Sequence, residues 1–449
     1  MSFNYSFPAL RILHVSAGKL LLSALTLCLF TLASSVYGQS FTPSGLQGEN
    51  LNNPTSLKFG PDERLYVAQQ NGIIYAYTIE RLGPNNYVVT DTEMIDVVKE
   101  QTPNHDDDGT FNPENERQVT GLTLAGTAEN PVLYVTSSDW RIGAGGGTKG
   151  DLNLDTNSGI LHRLTYTGSG WDKVDLVRGF PRSEENHSVN GIEIDPYNPD
   201  IMYLTVGGHT NAGAPSNNFA FITEYALGSA ILKIDLSALD ALPVQTSMEY
   251  GYTYKWVYDL PTVDDPVRDN VNGINDPALA GYTGEDPGDP FGGNDGLNQA
   301  KLEATGPVTL HSPGWRNVYD LLITTTPGRE GRMYAVDNGA NQGWGGHPEG
   351  EVDYPSESIV PAITNNYVPG EPGSTGTGPG GDPGVNNKNG LHYVRTLEPG
   401  DLNYVAGDPF NNEIYYAGHP TPIRANPASA GLYTQGVHTT NPDGGDAYW

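Results

Sequence analysis

One short frame recurs along this chain, and it restricts the possible folds more than any other feature. A β-rich run leads through a turn to a second run built on a Leu-Tyr-Val-like triplet. Its clearest copy runs from Val189-Asn-Gly-Ile-Glu-Ile through an Asp-Pro-Tyr-Asn-Pro-Asp turn to Ile201-Met-Tyr-Leu-Thr205. Before it, Pro54-Thr-Ser-Leu-Lys-Phe leads to Leu65-Tyr-Val-Ala68, and Val119-Thr-Gly-Leu-Thr-Leu leads to Pro131-Val-Leu-Tyr-Val-Thr136. After it, Arg316-Asn-Val-Tyr-Asp-Leu-Leu-Ile leads to Gly331-Arg-Met-Tyr-Ala-Val336, and a fifth copy spans Asp401 to His419. Third strands follow two copies, at Gly159–Tyr166 and Ala230–Asp235, and in the first copy the Asn71-Gly72 hairpin signal leads to Ile73–Glu80 and Asn86–Asp96. Four short antiparallel strands make one propeller blade, and a blade cannot bury both faces alone, so such units stack around an axis. The expectation is an all-β protein, a β-propeller of four-stranded blades with about five frames visible. A β-sandwich with two similar halves is the alternative.

The composition agrees. Among 449 residues there are 56 Gly, 34 Pro and 26 Tyr, the mixture of turn formers and aromatic strand residues typical of β architecture. Arg11 and Lys19 precede an apolar run from Leu20 to Val36, and Val36-Tyr-Gly38 supplies a cleavage-site pattern, so residues 1–38 read as a signal peptide. The one cysteine, Cys28, lies inside that run, which leaves an exported (secreted or periplasmic) domain at 39–449 with no disulfide. A net charge of −30 argues against nucleic acid and anionic membrane surfaces as partners and suits calcium or a neutral or cationic ligand. Two acidic Gly/Pro-rich stretches, at about 261–302 and 354–389, interrupt the frames and read as loop insertions. The end of the chain, Asp443-Gly-Gly-Asp-Ala-Tyr-Trp449, follows soon after the fifth frame, so the expectation is either fewer blades or a piece of a longer protein.

A propeller gathers loops from every blade at one end of its axis, so position within the frame says more than local spacing. Gln118 and His187 each sit just before an expected inner-strand start, and Arg316 and Asn317 occupy the matching place in a later frame. Histidine is the usual general base near neutral pH, and arginine stabilises a developing oxyanion. A structural histidine is the plain alternative. Gly143–Gly147 lacks the lysine and strand-to-helix context of a phosphate loop, and Asn104–Gly109 lacks EF-hand spacing and reads as a solvated acidic loop.

Four segments, Arg117-Gln-Val-Thr-Gly-Leu, Asn186-His-Ser-Val-Asn-Gly, Gly314-Trp-Arg-Asn and Asp337-Asn-Gly-Ala-Asn-Gln-Gly-Trp-Gly345, in this order, resemble the soluble quinoprotein glucose/sorbosone dehydrogenases. The resemblance covers about Pro54 to Ala340. It implies a six-bladed propeller that binds pyrroloquinoline quinone (PQQ) and Ca2+, a sugar substrate and an external electron acceptor. It implies that His187 is the base, Arg316 the residue that polarises the quinone carbonyl, and Gln118 and Asn317 cofactor neighbours. Asp337, Asn338 and Gly339 match the turn whose backbone oxygens hold calcium in that family.

Two departures stand out. Where the family places a carboxylate to orient the histidine, this chain has Gly207-Gly208-His209. After Arg316 its cations are Arg329, Arg332, Lys388, Arg395 and Arg424, a thin supply for a cofactor with three carboxylates. The competing reading is therefore a secreted propeller that has lost catalysis and binds carbohydrate or a protein partner.

Overall fold

The computed structural model describes residues 43–106, 111–114, 116–142, 154–209, 228–246, 253–257, 306–339 and 389–395, together with Tyr415, Ala417 and four two-residue strands within 262–359. The signal-peptide reading, most of both insertions and almost all of the fifth frame lie outside them. The described residues are nearly all β. In chain order the strands are β1 (Leu46–Gln47), β2 (Pro54–Phe59), β3 (Leu65–Gln69), β4 (Ile74–Gly83), β5 (Asn86–Ile95), β6 (Asn104–His105), β7 (Phe111–Asn112) and β8 (Arg117–Gly126). Then come β9 (Pro131–Asp139), β10 (Gly159–Tyr166), β11 (Trp171–Phe180), β12 (Val189–Ile194), β13 (Ile201–Val206), β14 (Ala230–Asp235), β15 (Gln245–Thr246) and β16 (Thr253–Val257). The last are β17 (Thr262–Val263), β18 (Gln299–Ala300), β19 (Val308–Pro313), β20 (Val318–Ile323), β21 (Met333–Asp337), β22 (Val352–Asp353), β23 (Ser358–Ile359) and β24 (Gly390–Val394).

Two compact units are distinguished. The smaller contains β1 and the tip of the β4–β5 hairpin, where Leu46 pairs with Tyr87 and Gln47 with Val88 in parallel. The larger, Gly48–Ile79 with Val89 onwards, holds four blade-like sheets. The first is built on β2 and β3 with the parts of β4 and β5 that belong to this unit. The second is β8–β9–β10–β11, extended by β16 running parallel to β11. The third is β12–β13–β14–β19 and the fourth β20–β21–β24. Apolar cores lie between successive sheets. Tyr66, Ile74, Leu122 and Leu133 meet between the first two, Leu161, Phe180, Ile192 and Leu204 between the next, and Ile231, Trp315, Leu321 and Met333 between the last. The frames thus mark real sheets, each beginning with an inner strand. The insertion at about 261–302 is not all loop, because its ends pair as an antiparallel ladder between β17 and β18.

All four inner strands break register at the same point of the frame: Pro54/Ser56, Val119/Gly121, Val189/Ile192 and Val318/Asp320. Three of these β-bulges aim a residue at a neighbouring blade. Thr120 Oγ1 donates to the Val189 carbonyl, Asn190 Nδ2 to the Val318 carbonyl at 2.9 Å, and the Tyr319 hydroxyl to the Thr55 carbonyl at 3.1 Å. The glycine after the bulge permits that approach. A Cβ on Gly121 would lie 2.2 Å from the Asn190 carbonyl oxygen, and one on Gly191 would lie 2.2 Å from Asp320 Oδ1. The repeated Gly in Val-Thr-Gly-Leu and Val-Asn-Gly-Ile is therefore a packing requirement between blades.

Candidate functional site

His187, Arg316 and Asn317, three of the residues singled out by sequence, meet around Gly207 and Gly208 at the inner-strand ends, and the fourth, Gln118, stands on β8. Gln118 is the second residue of β8 rather than a residue ahead of it, since pairing with β9 extends that strand back to Arg117, and Gln118 faces Ser138 in register. His187 precedes β12, and Arg316 and Asn317 precede β20. Gly314 turns the chain at φ +80, and the fully buried Trp315 indole then anchors it, donating to Ser312 Oγ at 3.0 Å. This fixes where Arg316 and Asn317 leave the core.

The Gly207-Gly208 pair joins these groups. His187 Nδ1 lies 2.7 Å from the Gly208 carbonyl oxygen, and the Gly208 N–H donates to the Arg316 carbonyl at 2.8 Å. One residue, Gly208, thus ties the histidine to the arginine segment through both of its backbone polar groups. A carbonyl only accepts, so Nδ1 carries the proton and Nε2 the lone pair. The orienting role that the resemblance gives to a carboxylate is filled here by backbone. Gly207 makes room for it, because a Cβ there would lie 2.4 Å from Asn317 Oδ1 and 2.7 Å from His187 Cβ. Asn190 Nδ2 donates to Asn317 Oδ1 at 2.8 Å, binding the third inner strand to the fourth.

The electrostatics keep His187 neutral. Burial, then the nearby Arg316 charge, hold its imidazole well below the ordinary histidine range despite the bond to Gly208. Two groups that sequence reasoning overlooked complete the neighbourhood. Arg182, fully buried, spends its N–H groups on the carbonyls of Asp139, Arg141, Ser183 and His187. Glu185 is buried beside Arg182 and Arg316. Desolvation pushes its carboxyl up to about 7, against the lowering pull of both arginines. The one sequence signal for them was proximity, in Arg182-Ser-Glu-Glu-Asn-His187.

The turn assigned to calcium by resemblance is occupied with this same segment. Asp337 accepts from the backbone N–H of Arg316 at 3.2 Å and of Asn317 at 2.8 Å, one on each carboxylate oxygen. The Asn338 carbonyl accepts from Arg316 Nη1 at 3.2 Å, and Gly339 N–H donates to Asn389 Oδ1 at 3.2 Å. Desolvation raises the Asp337 carboxyl above its ordinary value. Among the described residues no group of three or more His, Cys, Asp or Glu side chains is placed to hold a metal ion. Asn104–Gly109 is solvated only in part: Asn104 and His105 are buried, Asp106 pairs with Arg141 at 2.6 Å, and residues 107–109 lie outside the described residues, as does Gly143–Gly147.

No protein-family model and no curated protein sequence matches the chain. Solved structures similar to it include a family AA12 carbohydrate-active enzyme from Trichoderma reesei, 13% identical, covering 66% of this chain and 48% of that one at a TM-score of 0.36. The PQQ domain of a pyranose dehydrogenase from Coprinopsis cinerea is 12% identical over 69% of this chain and 48% of that one, with a TM-score of 0.32. A protein assigned as a glucose dehydrogenase from Thermus thermophilus is 16% identical over 66% of this chain and 93% of that one, with a TM-score of 0.26. The chain spans about half the length of the first two.

Proposed function

We propose that this chain is an exported oxidoreductase that oxidises an aldose or sorbosone-like sugar, passing electrons to PQQ and then to an external acceptor. The observation that supports it is the His187–Gly208–Arg316 linkage: a neutral histidine, tautomer set by a backbone carbonyl, beside a buried cation. The residues present fit an anionic, carbonyl-bearing cofactor. Arg316 and Arg182 are buried positive charges, and Arg182 has its hydrogen bonds with carbonyls rather than carboxylates.

When bound, PQQ supplies the quinone that accepts the hydride. His187 Nε2 takes the proton of the sugar hydroxyl as its carbon gives up that hydride, the role a positioned histidine performs in general base catalysis. Gly208 holds Nδ1–H and prevents the ring from turning over. Arg316 stabilises negative charge developing on an acceptor oxygen, an effect strengthened by exclusion of water from the buried site. Asn317, locked by Asn190 and Asp337, keeps Arg316 in place.

Calcium, the second cofactor implied by the resemblance, does not fit the turn as it stands. A dication at the Asn338 carbonyl would share that oxygen with the Arg316 guanidinium. No step is assigned to it. The thin cation supply and this turn both favour the second reading, a non-catalytic propeller that binds carbohydrate or a protein partner. Titration of purified protein with PQQ, with and without calcium, followed by dye reduction over a panel of aldoses, separates the two. The dehydrogenase reading expects a PQQ absorbance change and sugar-dependent reduction. Neither signal in either condition would sink it.

A further inference from the structure

Apart from His187, a cleft of about 500 Å³ opens between the first and second blades, lined by Asn52, Asn53, Gln70, Asn71, Glu116, Trp140, Arg141 and Ile142. Its size lies in the ~300–1,000 Å³ range of small-molecule sites. The wall is dominated by side-chain amides. Those of Asn52, Asn53 and Gln70 make no hydrogen bond among the described residues, while Asn71 Oδ1 accepts from Ile73 N–H at 3.3 Å. The backbone holds them in place: Gln70 N–H donates to the Asn53 carbonyl at 3.0 Å, and Asn53 sits at φ +48.

The charges in the lining are already matched. Arg141 reaches Asp139 at 2.9 Å and Asp106 at 2.6 Å, and Glu116 lies 3.6 Å from Lys99. Among the described residues the lining has no spare charge to recruit a phosphate or carboxylate. What it offers are amide donors and acceptors, the pattern that complements vicinal hydroxyls. Trp140 adds an indole, amphipathic by nature, whose Nε1–H is buried without a partner among the described residues. An unpaired buried donor costs stability unless a ligand or water satisfies it.

We propose that this cleft is a binding site for a neutral saccharide, separate from the His187 site and independent of any redox reaction there. The apolar face of one sugar ring lies on Trp140 and its hydroxyls take the amides of Asn52, Asn53 and Gln70. Isothermal titration of the full chain with glucose, galactose and cellobiose, with inorganic phosphate as the charged control, tests this without PQQ. The expected result is saturable binding of at least one saccharide and none of phosphate, weakened about tenfold or more by Trp140→Ala and by Gln70→Ala. Gln70→Ala keeps the test sound if Trp140→Ala misfolds, since the Gln70 side chain makes no hydrogen bond among the described residues. Absence of saturable saccharide binding overturns the proposal. So does binding that survives Gln70→Ala and Trp140→Ala but disappears in His187→Ala, which would place the sugar at the other site.

Discussion

Two buried histidines, one in the second blade and one between the third and fourth, show how little a familiar geometry says by itself. His162 on β10 has Ser137 Oγ at 2.7 Å from Nε2 and Asp175 Oδ1 at 2.7 Å from Nδ1, the outline of a Ser-His-Asp triad. Ser137, His162 and Asp175 are all completely buried. Arg117, also buried, donates to Ser137 Oγ at 3.3 Å, so no substrate reaches that hydroxyl. Lys173 and Arg178 meet the two Asp175 oxygens at 2.7 and 2.6 Å. Burial opposes ionisation of Asp175, but these cations and His162 hold it well below the usual carboxylate range, while burial lowers His162 to about 4. The outcome is a neutral histidine, a charged aspartate and a closed polar network pinning three strands. His187 has the Gly208 carbonyl at Nδ1 and stands at the inner-strand ends, with Arg316 and Glu185 in the same neighbourhood. The first arrangement satisfies its own groups; the second is the one we propose for chemistry.

Three stability predictions sharpen this contrast. Replacing Asp175 by Ala strands Lys173 and Arg178 in the interior, and removing one partner of a buried charge cluster costs about 3–5 kcal/mol. Denaturant unfolding should show that loss, and a change of less than about 1 kcal/mol would break the account of the network as a pin. Glu185 comes next. Its folded carboxyl titrates near 7 and an ordinary one near 4.5, so the folded protein holds a proton that the unfolded chain has released between those values. Stability from this group is therefore lost as pH rises from 4.5 to 7, by at most about 3 kcal/mol. Glu185→Gln should flatten that decline in melting curves taken across this window, and an unchanged slope would remove Glu185 from the site's electrostatics. His187 and His162 act in the opposite sense, since both are held below the unfolded value and their contributions fade as pH falls below 6.5. Last, Gly207→Ala forces a Cβ against Asn317 and His187 and should cost about 1–3 kcal/mol, as overpacking does. Wild-type stability in this variant would mean that the glycine pair is not built around the histidine.

Much of the fold was legible because its signal is periodic. The frame places β2, β3, β8, β9, β12, β13, β20 and β21, and the glycine after each of two bulges is visible as part of the repeat. Outermost strands were legible only in the first blade, where the Asn71-Gly72 signal led to β4 and β5. β11 and β19 owe their extent to the neighbours they pair with, and β16 joins β11 in parallel across a long stretch of chain. His187, Arg316 and Asn317 could be grouped from their place in the frame. The Gly208 backbone that connects them could not, because backbone hydrogen bonding leaves no mark on residue type. The His162 network escaped for another reason: Ser137, His162 and Asp175 lie on three successive strands, and their meeting depends on a register in which His162 faces Asp175.

We propose His187, and not the His162 network, as the group that carries the chemistry. The direct measurement is sugar-dependent dye reduction by PQQ-loaded protein, compared between His187→Ala and Ser137→Ala. We expect turnover in His187→Ala to fall about 10²–10⁴-fold, the usual consequence of losing a general base, with Ser137→Ala within about twofold of wild type. Full turnover in His187→Ala, or loss of turnover in a folded Ser137→Ala protein, would contradict the account.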